Sequence, residues 1–267
     1  MTAMLLRELE RVETRVLGAV RCVDAVTRMQ IDTPLQLQLD GGTLRRNRGG
    51  LYVVVRADAL AAHEAAFALP PAAPAPGSVR LPLTVQDPLG RYLPRRAVLA
   101  LPRDPVAGQP DDLFTPLELA LYPAAAAPTG ANWSLLRVSL HAQAGGDALG
   151  GALLLVRADG RVLARGLTDW RGEALVPVPG VPVTTWSEDP DAVVVSELAA
   201  ELQWVFDPAA GLRTPLASVQ AGRAPAAPPL VDPEQLESRA ATLPSATQAV
   251  ALAAGRSLSL SLVLAVP

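Results

Sequence analysis

Residues 149–180 constrain the fold more tightly than any other stretch of the chain. Apolar runs of four to six residues are cut at Asp159-Gly160, at Asp169-Trp170-Arg171-Gly172 and at Pro179-Gly180, the punctuation of short strands joined by tight turns. Asp-Gly favours positive φ at both central turn positions, and the twist of such a turn matches that of the strands it joins. Three short strands are therefore predicted. The stretch carries hairpin chemistry and no reactive group.

The same texture extends over most of the chain. Residues 34–39 alternate apolar and polar with period two, Asp40-Gly41-Gly42 turns the chain, and a further strand begins at Gly50. Residues 79–85 alternate again, with Pro82 suggesting an edge position, and residues 97–101 read as the strand that closes a first domain. Residues 70–77 are rich in Pro and Ala and are predicted to be extended. Prolines recur between residues 102 and 129 among apolar side chains, a composition that fits a connector pinned along a surface. Beyond it, strands are predicted at 133–140, 193–195 and 201–207. A Pro/Ala-rich excursion at 223–233 leads to one or two helical turns at 234–240. Residues 250–252 and 258–262 then finish the sheet. Met4, Leu5, Leu9, Val12 and Val16 recur near helical spacing, so a short amphipathic helix is plausible at the amino terminus. The predicted fold is all-β: two tandem antiparallel β-sandwiches with a short N-terminal helix and Pro-rich connectors. The expected divisions are an arm at 1–14, a first sandwich at 15–103, a connector at 104–130 and a second sandwich at 131–267.

Two resemblances follow from particular residues. In residues 149–180, a small residue, an apolar strand, a Gly turn, a second strand, then Thr168-Asp169, Gly172 and a third strand ending at Pro179-Gly180 resemble the carboxypeptidase-regulatory-like (transthyretin-like) β-sandwich. The first half is similar at Asp24, Thr27, Pro34 and the Gly50-x-Tyr52 strand. It departs at Arg28, where Gly is expected, and lacks the Thr-Asp turn before Gly50. The resemblance implies a structural role for the Thr-Asp-x-x-Gly turn, with Asp binding backbone amides and Gly at positive φ. Such sandwiches are accessory modules, so no peptidase activity is implied. The segments Gly50-Leu51-Tyr52-Val53, Gly90-Arg91-Tyr92-Leu93-Pro94-Arg95 and Leu121-Tyr122-Pro123 before Asn132-Trp133 are similar to accessory structural proteins of phage-tail-like contractile injection systems. That likeness implies sheath, tube, cap or baseplate proteins as partners.

Composition narrows the functional classes. A net charge of −3, with every basic residue an arginine, gives no broad basic field for nucleic acid or an anionic membrane. Cys22 stands alone, so no intrachain disulfide forms; a reducing cytoplasm or a disulfide-free assembly fits, and the thiol reads as a buried small hydrophobe. Residues 1–20 carry charges throughout and do not read as a signal peptide, and no run of apolar residues is long enough to span a bilayer. The expected location is a cytoplasmic assembly, released in some settings as part of an extracellular particle.

Chemistry-bearing residues are sparse. His63 and His141 fall in different predicted domains without a second His or Cys at ligand spacing. There is no Gly-x-Ser-x-Gly elbow, and Asp111-Asp112 and Glu188-Asp189 lie in Pro-rich turns, where they read as loop solubility. No catalytic residue, cofactor or metal is expected. Trp133, Trp170 and Trp186 sit in or beside turns, where a large side chain must pack on something. Together with the arginines Arg45, Arg46 and Arg48 before Gly49-Gly50, and with Leu121 and Tyr122 in the connector, they are the candidate partner-binding residues. The expected function is a non-enzymatic structural or adaptor component that binds neighbouring subunits through edge strands, arm and Pro-rich straps. The alternative is a carbohydrate- or ligand-binding sandwich using exposed aromatics.

Overall fold

The structure, a computed structural model, describes residues 15–65, 73–109, 111–143, 146–182 and 197–266. The expected N-terminal helix, the predicted strand at 193–195 and Trp186 lie outside them.

The described chain is all-β. Its first half runs through β1 (Gly18–Asp24), β2 (Gln36–Leu39), β3 (Gly42–Arg46), β4 (Tyr52–Ala57), the short helix α1 (Ala61–Ala65), β5 (Val79–Gln86), β6 (Arg95–Leu101) and β7 (Leu117–Leu121). The second half holds β8 (Ser134–Ala142), β9 (Ala148–Gly150), β10 (Leu153–Ala158), β11 (Arg161–Leu167), β12 (Glu173–Val178), β13 (Leu198–Val205) and β14 (Leu212–Thr214). It ends with α2 (Leu216–Gln220), α3 (Pro233–Ser238), β15 (Ser245–Leu252) and β16 (Ser257–Leu264).

In the first half the sheet β3-β4-β1-β7 and the sheet β2-β5-β6 share one core. Val20, Cys22, Val54, Leu119 and Leu121 meet Leu39, Leu83, Val85, Leu99 and Leu101 there. Period-two alternation supplies this directly, since every second side chain of each strand faces the opposite sheet. In the second half the sheet β11-β10-β13-β15 faces the sheet β12-β8-β9-β14, which β16 extends on the other side of β8. Leu136, Leu140, Val176 and Leu262 pack against Leu154, Val156, Leu202 and Leu252. Burial of each such side chain is worth about 1.5–3 kcal/mol.

The sheets are not purely antiparallel. β1 pairs in parallel with β7, and β8 in parallel with β16, so each half closes by laying its last strand beside its first. Parallel neighbours need a long crossover, which the intervening strands provide. Three expectations are corrected as a result. The stretch read as connector contributes β7, a full member of the first core, so residues 97–101 do not close that half. The strands at the end of the chain belong to different sheets, because residues 253–256 carry the chain across the core. Pro82 sits on β5, the middle strand of its sheet. Its carbonyl accepts from Asp40 N at 3.0 Å, one residue beyond the last β2 pair at Leu39 and Leu83, so the missing N–H costs the ladder a single bond at the end of β2.

The turns of residues 149–180 carry out their chemistry. Asp159 and Gly160 both take positive φ, 49° and 73°, and join β10 to β11. The Thr168-Asp169 turn then lifts the chain from one sheet to the other. Thr168 Oγ1 donates to Leu149 O at 2.6 Å and accepts from Ala152 N at 2.9 Å. Asp169 Oδ1 accepts from Arg171 N at 2.8 Å and Glu173 N at 3.1 Å. The turn in the first half is built alike: Asp24 Oδ1 accepts from Val26 N at 2.9 Å and Thr27 N at 2.7 Å. Arg28, standing where Gly was expected, holds φ 60°.

A third core joins the halves. Leu153, Leu155 and Leu167 point away from the second core and pack with Tyr122, Val231 and Leu236. β10 is therefore covered on both faces, one of them by the excursion and by the end of the first half. Asp232 caps α3, accepting from Glu234 N and Gln235 N at 3.1 and 3.2 Å, with Pro233 in the first turn.

Cys22 is 1% exposed. Burial pushes its thiol up to about 12, against a smaller opposing pull from the Arg95 charge. A thiol reagent at neutral pH is expected to label no cysteine in the folded protein and one per chain after denaturation. Fast labelling of the native chain would refute the buried position.

Candidate interaction surfaces

Each sheet has edges, and an unpaired edge offers a row of backbone donors and acceptors to another strand. Most edges of this chain are blunted. β3 carries Arg45 and Arg46 and a bulge between Thr43 and Leu44 in its pairing with β4. β11 carries Arg161 and Arg165, the latter bonded to Glu237 at 2.8 and 3.0 Å. β6 is covered by the excursion, Arg96 N donating to Val231 O at 2.7 Å. On β7, Glu118 is held by Arg28 at 2.8 Å. β12 contains Pro177, while β2 and β14 have only four and three residues. The two that remain are β15 (SATQAVAL) and β16 (SLSLSLVL), each eight residues long, without charge and without proline. Among the described residues each pairs on one side only, β15 with β13 and β16 with β8.

The expected partner-binding residues are not brought together. Arg45 and Arg46 lie on β3 itself, while Arg48 lies in the turn that follows. All three are exposed, and Arg46 Nη2 donates to Asp32 O at 2.6 Å. Trp133 is half-buried, its indole against Gly130, where a Cβ would come within 2.6 Å of the ring. Trp170 is half-buried with the Arg171 guanidinium 5.9 Å from its ring centre, and it borders a small cavity of about 60 Å³ beside Leu93, Pro94, Pro229 and Val231. It therefore packs where the two halves meet. Leu121 and Tyr122 are 1% and 2% exposed. The chain covers them itself, which corrects their expected role: an apolar pair in a Pro-rich stretch marks β7 and the joint after it.

Several acidic side chains close turns of the fold. Asp112, read as loop solubility, is buried and accepts from Gly108 N at 2.7 Å, Phe114 N at 3.0 Å and Thr115 N at 2.6 Å. The Gly108 bond leads the contacts that hold its carboxyl below the usual range. Asp87 and Asp207 close turns in the same manner. His63 is buried in α1 and His141 half-buried on β8. Among the described residues no three His, Cys, Asp or Glu side chains gather as a metal site, and no helix is long and apolar enough to cross a membrane.

An open trough of about 650 Å³ lies over the outer face of β12, β8 and β16. Its charges are engaged: Arg137 Nη1 donates to Ala125 O at 3.2 Å, and Arg171 is bound to Asp169 and Glu173 at 2.8 and 2.9 Å. The signal that sequence reasoning missed is in β16, whose Ser-Leu alternation was read for its inward face alone. No family model, curated protein or solved structure matches the chain.

Proposed function

We propose that the chain is a non-enzymatic structural or adaptor component of a multi-protein assembly, built as two tandem β-sandwiches whose open edges receive neighbouring subunits. The carrying observation is the contrast between edges: those of β2, β3, β6, β7, β11, β12 and β14 are blunted by charge, bulge, proline, short length or cover, whereas β15 and β16 are long, uncharged and, among the described residues, unpaired on their outer sides. The tandem architecture is supported by the repeated closure of each half through a parallel pair of first and last strands. The likeness to phage-tail-like contractile injection systems makes a cap, baseplate or sheath-associated position the specific form of this proposal.

Affinity purification from the native cell, with cross-linking, tests it. The expected result is co-migration with a high-mass assembly and cross-links to its subunits. Recovery as a free chain, absent from purified particles, would overturn the reading. The carbohydrate-binding alternative needs an exposed aromatic face, and the half-buried positions of Trp133 and Trp170 do not favour it.

A further inference from the structure

We infer that the outer edge of β16 pairs with the β16 of a second copy of this chain, antiparallel and centred on Leu260, so that one sheet runs through a two-fold dimer. The inference deepens the edge reading given above and rests on it, but it does not depend on membership of a particle.

The ladder fixes which backbone groups are available. Leu135 N donates to Arg256 O at 2.8 Å and Gln143 N to Leu264 O at 2.8 Å. The register is unbroken between them, so the even-numbered residues of β16 turn their N–H and C=O toward β8. Ser257, Ser259, Ser261 and Val263 turn theirs the other way, and all four have exposed side chains, Val263 at 57%. An antiparallel partner bonds best where residues with outward-turned groups stand opposite each other. Centring the pair on Leu260 sets Ser259 against Ser261 and Ser257 against Val263 of the other copy, so that all four are used. Shifting the centre by one residue in either direction leaves one of the four without its mate.

Side-chain chemistry favours a second copy over a foreign strand. Because β16 alternates with period two, this register lays Ser259 against Ser261 and Ser257 against Val263 on the outer face, and leucine against leucine on the inner, continuing the row of Leu258, Leu260 and Leu262 from one core toward the other. No charged side chain lies on the strand, whereas β3 and β11 each carry arginines at their edge. β15 is also uncharged but presents mostly alanine, threonine and glutamine, which offer less apolar area to a mate.

Sedimentation equilibrium and light scattering across a dilution series provide the test, with two variants that differ at one position. In Ser259→Glu/Ser261→Glu, like charges face each other twice across the two-fold axis, and the dimer dissociation constant is expected to rise at least about tenfold. In Ser259→Glu/Ser261→Lys, each introduced glutamate faces an introduced lysine, and pairing is expected to return. The glutamate at 259 also stands in register with Arg137 of β8, so neither variant strains the monomer there. The wild-type chain should show twice its mass of 27.8 kDa at high concentration and one chain mass on dilution.

A monomer at every concentration overturns the inference. So does a dimer that the like-charge variant leaves intact, or a dimer that the opposite-charge variant does not restore. If the variants fail to fold, amide exchange of the wild-type chain decides: Ser259, Ser261 and Val263 should exchange about tenfold or more slower in the concentrated protein than on dilution, and equal rates refute the pairing. A chain that is monomeric yet found in purified particles removes this inference and leaves the adaptor reading standing.

Discussion

Gly172→Ala is expected to destabilise the folded chain by about 4 kcal/mol, one of the two largest losses foreseen from a single substitution in this fold. Two effects combine there. Gly172 holds φ 72°, where an L side chain costs about 1–3 kcal/mol. A Cβ at that position would also lie 2.3 Å from Leu140 O and 3.2 Å from Leu149 N, both backbone atoms that cannot rotate aside. Gly172 O accepts from Leu140 N at 2.9 Å, so a shift that relieved the clash would break the bond tying the turn to β8. Gly160→Ala supplies the control. Its φ is 73° and nothing lies within 4 Å of its Cβ position, so only the backbone strain remains, about 1 kcal/mol. Urea unfolding of the two variants separates the terms. Equal losses would mean that the close approach of Gly172 to β8 does not exist in solution.

Much of this was legible in the sequence where local chemistry decides the outcome. Asp159-Gly160 announced a hairpin and Thr168-Asp169-x-x-Gly172 a structural turn, because those residue types act on their own backbone neighbours. Arg28 is instructive in the other direction. Glycine was expected there, and the structure keeps the left-handed backbone with an arginine, beside a turn held by the Asp24 bonds to Val26 N and Thr27 N. What could not be read were relations between strands distant in sequence. Period two tells which side chains face inward, but it does not tell which strand lies beside which. For that reason the parallel pairs β1 with β7 and β8 with β16, the central position of β5 and the membership of β7 in a core all escaped it.

The interaction surface was legible only in part, for a related reason. Exposure of Arg45, Arg46 and Arg48 follows from their charge and from their place on an edge strand and the turn after it. Burial of Tyr122 depends on Leu153, Leu155 and Leu236, which arrive from elsewhere in the chain. Likewise, the eight residues of β16 become a candidate interface only once β8 is known to satisfy one of their two sides.

The joint between the halves turns on Arg95, and breaking it is expected to split the unfolding of the chain. Arg95 is 0% exposed, an unusual place for a guanidinium unless it is paired. Its Nη1 donates to Ala120 O at 2.8 Å and to Glu234 Oε1 at 3.1 Å, and its Nε donates to Arg96 O at 3.1 Å. Its Nη2 meets the second oxygen of Glu234, and the group lies 6.0 Å from the centre of the Tyr122 ring. One side chain of β6 thus holds β7 and the first turn of α3 together. Arg95→Met removes the charge and leaves Ala120 O and Arg96 O without these donors, an expected loss of about 3–5 kcal/mol. Glu234→Gln leaves the buried guanidinium with weaker compensation. Because 63% of the Glu234 side chain is open to solvent, its charge is screened and the loss should be smaller, about 2 kcal/mol. The two groups touch, so the double variant should fall short of the sum by at least about 1 kcal/mol.

The pH dependence carries the same signature. Local desolvation where the Glu234 carboxyl meets the joint raises it, but the Arg95 charge and hydrogen bond outweigh this and hold the group below its usual value. A depressed carboxyl contributes stability that is present above its unfolded value and is lost as pH falls through the folded one. Asp232 is raised, chiefly by burial and also by Glu234, and its contribution has the opposite sign. The advantage of wild type over Glu234→Gln should therefore shrink as the solution is acidified through the carboxylate range. Calorimetry provides the last reading. The third core and the buried Arg95 ion pair together couple the halves, so wild type should unfold in a single transition and Arg95→Met, which weakens that joint, in two. A single transition in Arg95→Met, together with additive losses in the double variant, would show that the joint is held by the apolar contacts of Tyr122, Leu153 and Leu236 without help from the ion pair.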